Sequence, residues 1–180
     1  FYFDHDIPKP SNASNPNPEK DYLSDLSDYK GRLGDYLDRN PTEDEKDAVS
    51  NFFENYINTI ENNTTKLVEK IKTALDNNAT VNIEMFGSAS APASESYNKT
   101  LSERRLNSVK EYFFTLLDKE KYADRLTISY NPQGENAKVY TPDGGGPYEC
   151  TKDFATRDEE IYSTTAMACR RVRIKVQEKE

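Results

Sequence analysis

An α+β sandwich, with helices packed on one face of a four-stranded mixed sheet, is the fold the sequence predicts, and three features predict it. An aromatic run at 1–4 and alternating apolar segments at 81–86, 126–130 and 171–176 are strand candidates. Long stretches between them repeat apolar residues at three- and four-residue spacing, the mark of amphipathic helices. The resulting order is strand, two helices, strand, helix, strand, strand.

Each element has a local reason. Residues 8–18 hold four prolines and three asparagines and form a loop. Asn17-Pro18 supplies a capping side chain and a proline at the first helical position. Tyr22, Leu26, Tyr29, Leu33, Tyr36 and Leu37 then predict a helix running to about Arg39, closed by Pro41. Thr42 to Glu45 is a capping box, and Ala48, Val49, Phe52, Tyr56, Ile57, Ile60, Leu67, Val68, Ile71 and Leu75 continue a stripe to about Asp76, with a break near 62–65. Val81, Ile83 and Met85 alternate with Asn82 and Glu84. After a small-residue loop at 87–96, Leu101, Arg105, Val109, Tyr112, Phe113 and Leu116 share one helix face. Leu126–Tyr130 is the third strand. Residues 131–168 form a long irregular excursion, with a short helix across 158–168. Val172, Ile174 and Val176 turn inward in the closing strand.

Composition bounds the function. The chain has 180 residues, enough for one domain, here taken as 1–180 with a helical insertion at 8–45. Twenty-four Lys+Arg against 32 Asp+Glu leave a net charge of −8, which disfavours nucleic-acid binding through the overall field. No run approaches the ~20 apolar residues of a transmembrane helix. Hydrophobic residues are only 34%, but 12 Tyr and 8 Phe supply large buried areas. The chain begins at Phe1 and is expected to be a piece of a longer or processed protein.

One histidine and two cysteines exclude a zinc site, and no metal or cofactor is expected. Cys150 and Cys169 are either two reduced thiols or a disulfide. The disulfide is favoured, because the segment between them has little apolar periodicity and gains most from a staple. It implies an extracytoplasmic compartment.

The stretch from Phe86 to Val109 carries the most specific pattern. It resembles the OmpA-like peptidoglycan-associating family, whose signature runs G-x-T-D-x-x-G-x-x-x-Y-N-x-x-L-S-x-x-R-A-x-x-V between a strand and a helix. Gly87, Tyr97, Asn98, Leu101, Ser102, Arg105 and Val109 fall in register without a gap. Gly134-Glu135, Arg170-Arg171-Val172 and the opening Phe1–Asp4 are similar to other family positions. The helical insert after the first strand resembles a Bacteroidetes-type branch. The resemblance implies an OmpA-like β-α-β-α-β-β sandwich and a non-catalytic periplasmic module. Such a module would attach to the outer membrane through regions outside this chain and hold the diaminopimelate-type peptidoglycan stem peptide.

A zwitterionic amino-acid head needs one anion for its ammonium and a forked cation for its carboxylate. The resemblance assigns Gly87, Ala89, Ser90, Asn98, Leu101, Arg105 and Arg171 to the ligand site, with Arg105 as the cation. Ser90 stands where the family has aspartate, Ala89 where it has threonine and Ala93 where it has glycine. Three readings follow: Glu95 or Glu135 substitutes as the acid, the ligand is a variant stem peptide, or the domain is a degenerate scaffold in an envelope complex. In the last case, the aromatic helix within 19–40 is where a protein partner would dock.

Other motifs are weaker. Gly87–Ala91 misses the nucleophile-elbow spacing. His5, between Asp4 and Asp6, reads as solvated with a raised proton affinity. Asp4, Asp6, Glu95 and Glu135 lack calcium-loop spacing. Asp143–Gly146 lacks the lysine of a phosphate loop and reads as a turn.

Overall fold

The computed structural model describes residues 1–10, 16–91, 93–140, 144–151 and 154–179. Asp143 and the middle of the 8–18 loop lie outside the described residues. Helix α1 (Tyr22–Lys30) is capped by Asp21, whose carboxylate accepts the Ser24 N–H at 2.8 Å. Asn17 is therefore not the cap, and Pro18 pairs in an isolated bridge with Pro10. Gly31 ends α1, since glycine has the poorest helix propensity after proline. A second short helix, α2 (Leu33–Asp38), completes the stretch expected as one helix.

Helix α3 (Glu43–Phe52) opens on the capping box: Glu45 N–H donates to Thr42 Oγ1 at 3.2 Å, and Thr42 N–H to Glu45 Oε2 at 2.9 Å. A π-turn at Phe53–Ile57 leads into α4 (Ile60–Asp76). The break thus falls before 62–65. Its wider turn keeps Phe52, Phe53, Ile57 and Ile60 all buried. Thr64 and Thr65 lie within α4, and their hydroxyls donate back to Ile60 O (2.7 Å) and Glu61 O (3.0 Å).

The chain is α+β, with a mixed sheet of three strands. Strand β1 (Thr80–Gly87) lies at its centre, and helix α5 (Glu95–Leu116) follows it. β1 runs parallel to β2 (Leu126–Pro132) and antiparallel to β5 (Val172–Lys179). The expected fourth strand is reduced to one bridge, Tyr2 to Arg171. Phe3 N–H donates to Arg170 O (2.9 Å) and Val172 N–H to Phe1 O (2.8 Å). Pairing stops there because the chain turns away at Asp6, which has a left-handed φ of 54°, a conformation aspartate tolerates better than most residues. The excursion builds a second, two-stranded sheet from β3 (Lys138–Val139) and β4 (Tyr148–Glu149), then helices α6 (Arg157–Tyr162) and α7 (Thr164–Cys169). Cys150 and Cys169 form a disulfide with Cα atoms 5.7 Å apart, joining the end of β4 to the end of α7.

Val81, Ile83 and Met85 of β1 share one core with Val68, Ile71 and Leu75 of α4 and with Leu106, Val109 and Phe113 of α5. The aromatic residues of 19–40 belong to this core. Tyr22 meets Phe1, Phe3 and Tyr112 with ring centroids 5.2–5.6 Å apart, and Tyr36 meets Tyr29, Phe53 and Tyr162 at 5.0–5.7 Å. The aromatic side chains that 19–40 offers for partner docking are thus turned inward, leaving Leu23 as the large apolar residue of α1 at the surface. Among the described residues, no helix is long and apolar enough to cross a membrane.

Strand direction decides where function can sit. The N-terminal segment, β1 and β2 all end at the edge of the sheet where β5 begins. The loops after Asp4, Gly87 and Pro132 therefore converge there with the segment leading out of α7.

Candidate functional site

At that edge lies a cavity of about 270 Å³. Of the residues the sequence singles out, Ser90, Asn98, Leu101 and Arg105 line it. Gly87 and Ala89 support the wall instead. A Cβ on Gly87 would stand 2.5 Å from Ser102 O and 2.8 Å from Leu106 Cγ, so only glycine lets β1 approach α5 this closely. Ala89 is buried and its N–H donates to Gly134 O at 2.7 Å. Arg171 is not at this site. It borders a separate groove with Tyr2 and Tyr56, and donates to Lys138 O at 3.4 Å.

Arg170 takes the place expected of Arg171. The signal was present: Arg170 is in phase with the inward residues Val172, Ile174 and Val176, whereas Arg171 is in phase with Arg173 and Lys175. The cavity also receives His5, Asp6, Tyr97 and Arg157. His5 and Asp6 lie about ninety residues before Asn98 and Arg105, and nothing periodic announces that meeting. Neither Glu95 nor Glu135 lines the cavity. Glu135 instead accepts the Asn98 Nδ2 hydrogen bond at 2.7 Å, fixing that amide. Ser102 Oγ accepts the Gly134 N–H at 3.0 Å and donates to Lys99 O, which seats the Gly134-Glu135 turn on α5.

The electrostatics are dominated by guanidinium groups. Arg105 is 0% exposed and donates to Ile7 O (2.9 Å), Ser88 O (2.8 Å) and Asp4 O (3.5 Å). Its partners are carbonyls alone, and burial and then Arg170 lower its pKa to about 9. Arg170 is 1% exposed and donates to Phe3 O (3.2 Å), Ile161 O (2.8 Å) and the Tyr36 hydroxyl (3.0 Å). Its Nη1 is buried without a hydrogen-bond partner. Tyr36 in turn donates to Asp4 Oδ1 at 2.6 Å, and Arg32 Nη1 donates to Asp4 Oδ2 at 2.6 Å. Through this chain helix α2 holds Arg170 in place. Among the described residues, neither Arg105 nor Arg170 forms an ion pair.

His5 is half-buried rather than solvated, and its pKa falls to about 4 through burial, then Arg170 and Arg157. The raised proton affinity expected from its flanking aspartates is reversed, because desolvation and two cations outweigh them. His5 and Ser90 share the cavity with no hydrogen bond between them among those of the described residues. Asp6 accepts from Lys9 Nζ and from the Tyr97 hydroxyl. Burial opposes its ionisation, but these two bonds hold its carboxyl below the ordinary value. Among the described residues, no group of three or more His, Cys, Asp and Glu could hold a metal ion.

No protein-family model matches the chain, and the curated proteins give no match either.

Proposed function

We propose that this chain is an OmpA-like, non-catalytic periplasmic module. It holds the stem peptide of diaminopimelate-type peptidoglycan and so anchors an outer-membrane protein or complex. The observation that carries the reading is the meeting of Tyr97, Asn98, Leu101 and Arg105, all matches to the resembling motif, with Ser90 at the motif's aspartate position, in one cavity at the sheet edge. Two further motif residues have packing roles that shape the same loop: Gly87 permits the strand–helix approach, and Ser102 anchors the turn that fixes Asn98.

Asp6 supplies the anion that Ser90 lacks. Its partner Lys9 is exposed, and an exposed pair of this kind contributes about 0–1 kcal/mol. A ligand ammonium can therefore replace the Lys9 ammonium at little cost. Arg105 and Arg170 make the base of the cavity positive and favour a carboxylate there.

Co-sedimentation with intact Gram-negative sacculi tests the reading. The parent chain should pellet, and Asp6→Asn should reduce pelleting several-fold without lowering the melting temperature appreciably. A parent chain that stays in the supernatant removes the cell-wall reading. It would leave a degenerate OmpA-like scaffold in an envelope complex, whose partner crosslinking would recover.

A further inference from the structure

Three arginines line the cavity, but only one has donors that a ligand can reach. Arg105 and Arg170 are fully buried, and their bonded donors go to main-chain carbonyls and the Tyr36 hydroxyl; Arg170 Nη1 has no partner but is itself buried beneath the surface. For either to grip a ligand, carbonyls of the Asp4–Ile7 turn, Ser88, Phe3 or Ile161 would lose their donors, and the wall would come apart. Arg157 differs. Its side chain is 63% exposed, and one Nη1 bond to Glu160 Oε2 (2.9 Å) uses a single donor of the five on the guanidinium. It comes from α6 in the 131–168 excursion, a segment the motif does not include.

We infer that Arg157 is the residue that takes the ligand's free carboxylate, and that Arg105 and Arg170 are positioning residues. This rests on the cell-wall reading above and names a contact that the family resemblance does not. Three cations around a small cavity repel one another, and an anion among them relieves that repulsion. His5 adds no further positive charge at neutral pH, its proton affinity being depressed by burial and by Arg170 and Arg157. The Asp6 carboxylate, held by Lys9 and Tyr97, does not pair with the arginines. The site therefore selects a stem peptide whose diaminopimelate carboxylate is free over one in which it is amidated.

Isothermal titration with two synthetic stem peptides, differing only in that carboxylate or its amide, tests the assignment. The parent should bind the free acid roughly twofold to fivefold more tightly, the range for one largely exposed ion pair. Arg157→Ala should bind both peptides equally, and Arg157→Lys should restore part of the preference. Arg157 is exposed, so these variants should melt like the parent. If Arg157→Ala keeps the parental preference, a buried arginine takes the carboxylate and the inference is overturned while the cell-wall reading stands. If the parent binds neither peptide, both fail together.

Discussion

Helix α6 divides two cavities of opposite character. On one side Arg157 faces the pocket of about 270 Å³ with Arg105 and Arg170. On the other, Thr156, Asp158 and Glu159 face a cleft of about 780 Å³ that also contains Asp38, Asp44 and Glu45. The cleft is the larger, yet its carboxylates are ordinary surface groups: Asp158 pairs with Arg39 at 3.6 Å, and Glu45 caps α3. The pocket is small, but it gathers two buried guanidinium groups held by main-chain carbonyls and the Tyr36 hydroxyl, with Tyr36, Tyr29 and Asp4 favouring the charge on Arg170. Buried positive charge, rather than volume, marks the functional side of α6.

The strongest test of that contrast is the staple behind the pocket. Cys169 O accepts the Ser88 hydroxyl at 2.7 Å, and Cys150 O accepts the Ala91 N–H at 3.0 Å, so the disulfide backs the 88–91 loop. Replacing both cysteines with serine should lower unfolding free energy by about 3 kcal/mol in urea titrations and weaken stem-peptide binding as well. Parental stability together with parental affinity would mean that the pocket wall does not depend on the bond.

A smaller effect separates the positive pocket from its acidic surroundings through pH. His5, at about 4, lies below its ordinary 6.5, so its contribution to stability is lost as pH falls from 6.5 towards 4. Asp25 in α1 is raised by burial from 3.8 to about 6, and its Oδ2 has no hydrogen-bond partner. Its contribution is lost as pH rises through the same interval. Relative to the parent, His5→Gln should therefore gain stability on acidification from 6.5 to 4, and Asp25→Asn should gain it from 4 to 6. Parallel slopes in the two variants would contradict the opposite shifts that burial imposes on a base and an acid.

The smallest effect is expected in the cleft. Asp44→Asn removes one first-turn carboxylate of α3 and should cost no more than about 0.5 kcal/mol. Stem-peptide affinity should not change. A tenfold loss of affinity in this variant would move the binding site to the cleft.

Much of this architecture was legible in the chain. Period-2 alternation located β1, β2 and β5, because a strand with one buried face must alternate. The Thr42–Glu45 box located α3, because its four bonding groups are local. The Tyr22, Leu26 and Tyr29 stripe could be read as core-facing, because spacing alone puts those side chains on one side of α1. Ser90, Asn98, Leu101 and Arg105 were legible as a group, because one loop and the helix after it carry them all.

What only the tertiary structure decided depends on how distant segments meet. Asp6 reaches the pocket because the chain leaves its single bridge to Arg171 and turns across the end of β1. Arg170 rather than Arg171 enters because the strand phase that buries Val172 carries back to it. Arg157 enters because α6, in an excursion without periodicity, folds back beside that edge. The proton affinity of His5 changed direction for the same reason. Its neighbours in sequence are two aspartates, while the burial and arginines that lower its pKa come from the folded chain. Local interactions act over a few residues and can be read from spacing. Electrostatic fields and cavity walls are sums over segments far apart in the chain, and folding alone brings them together.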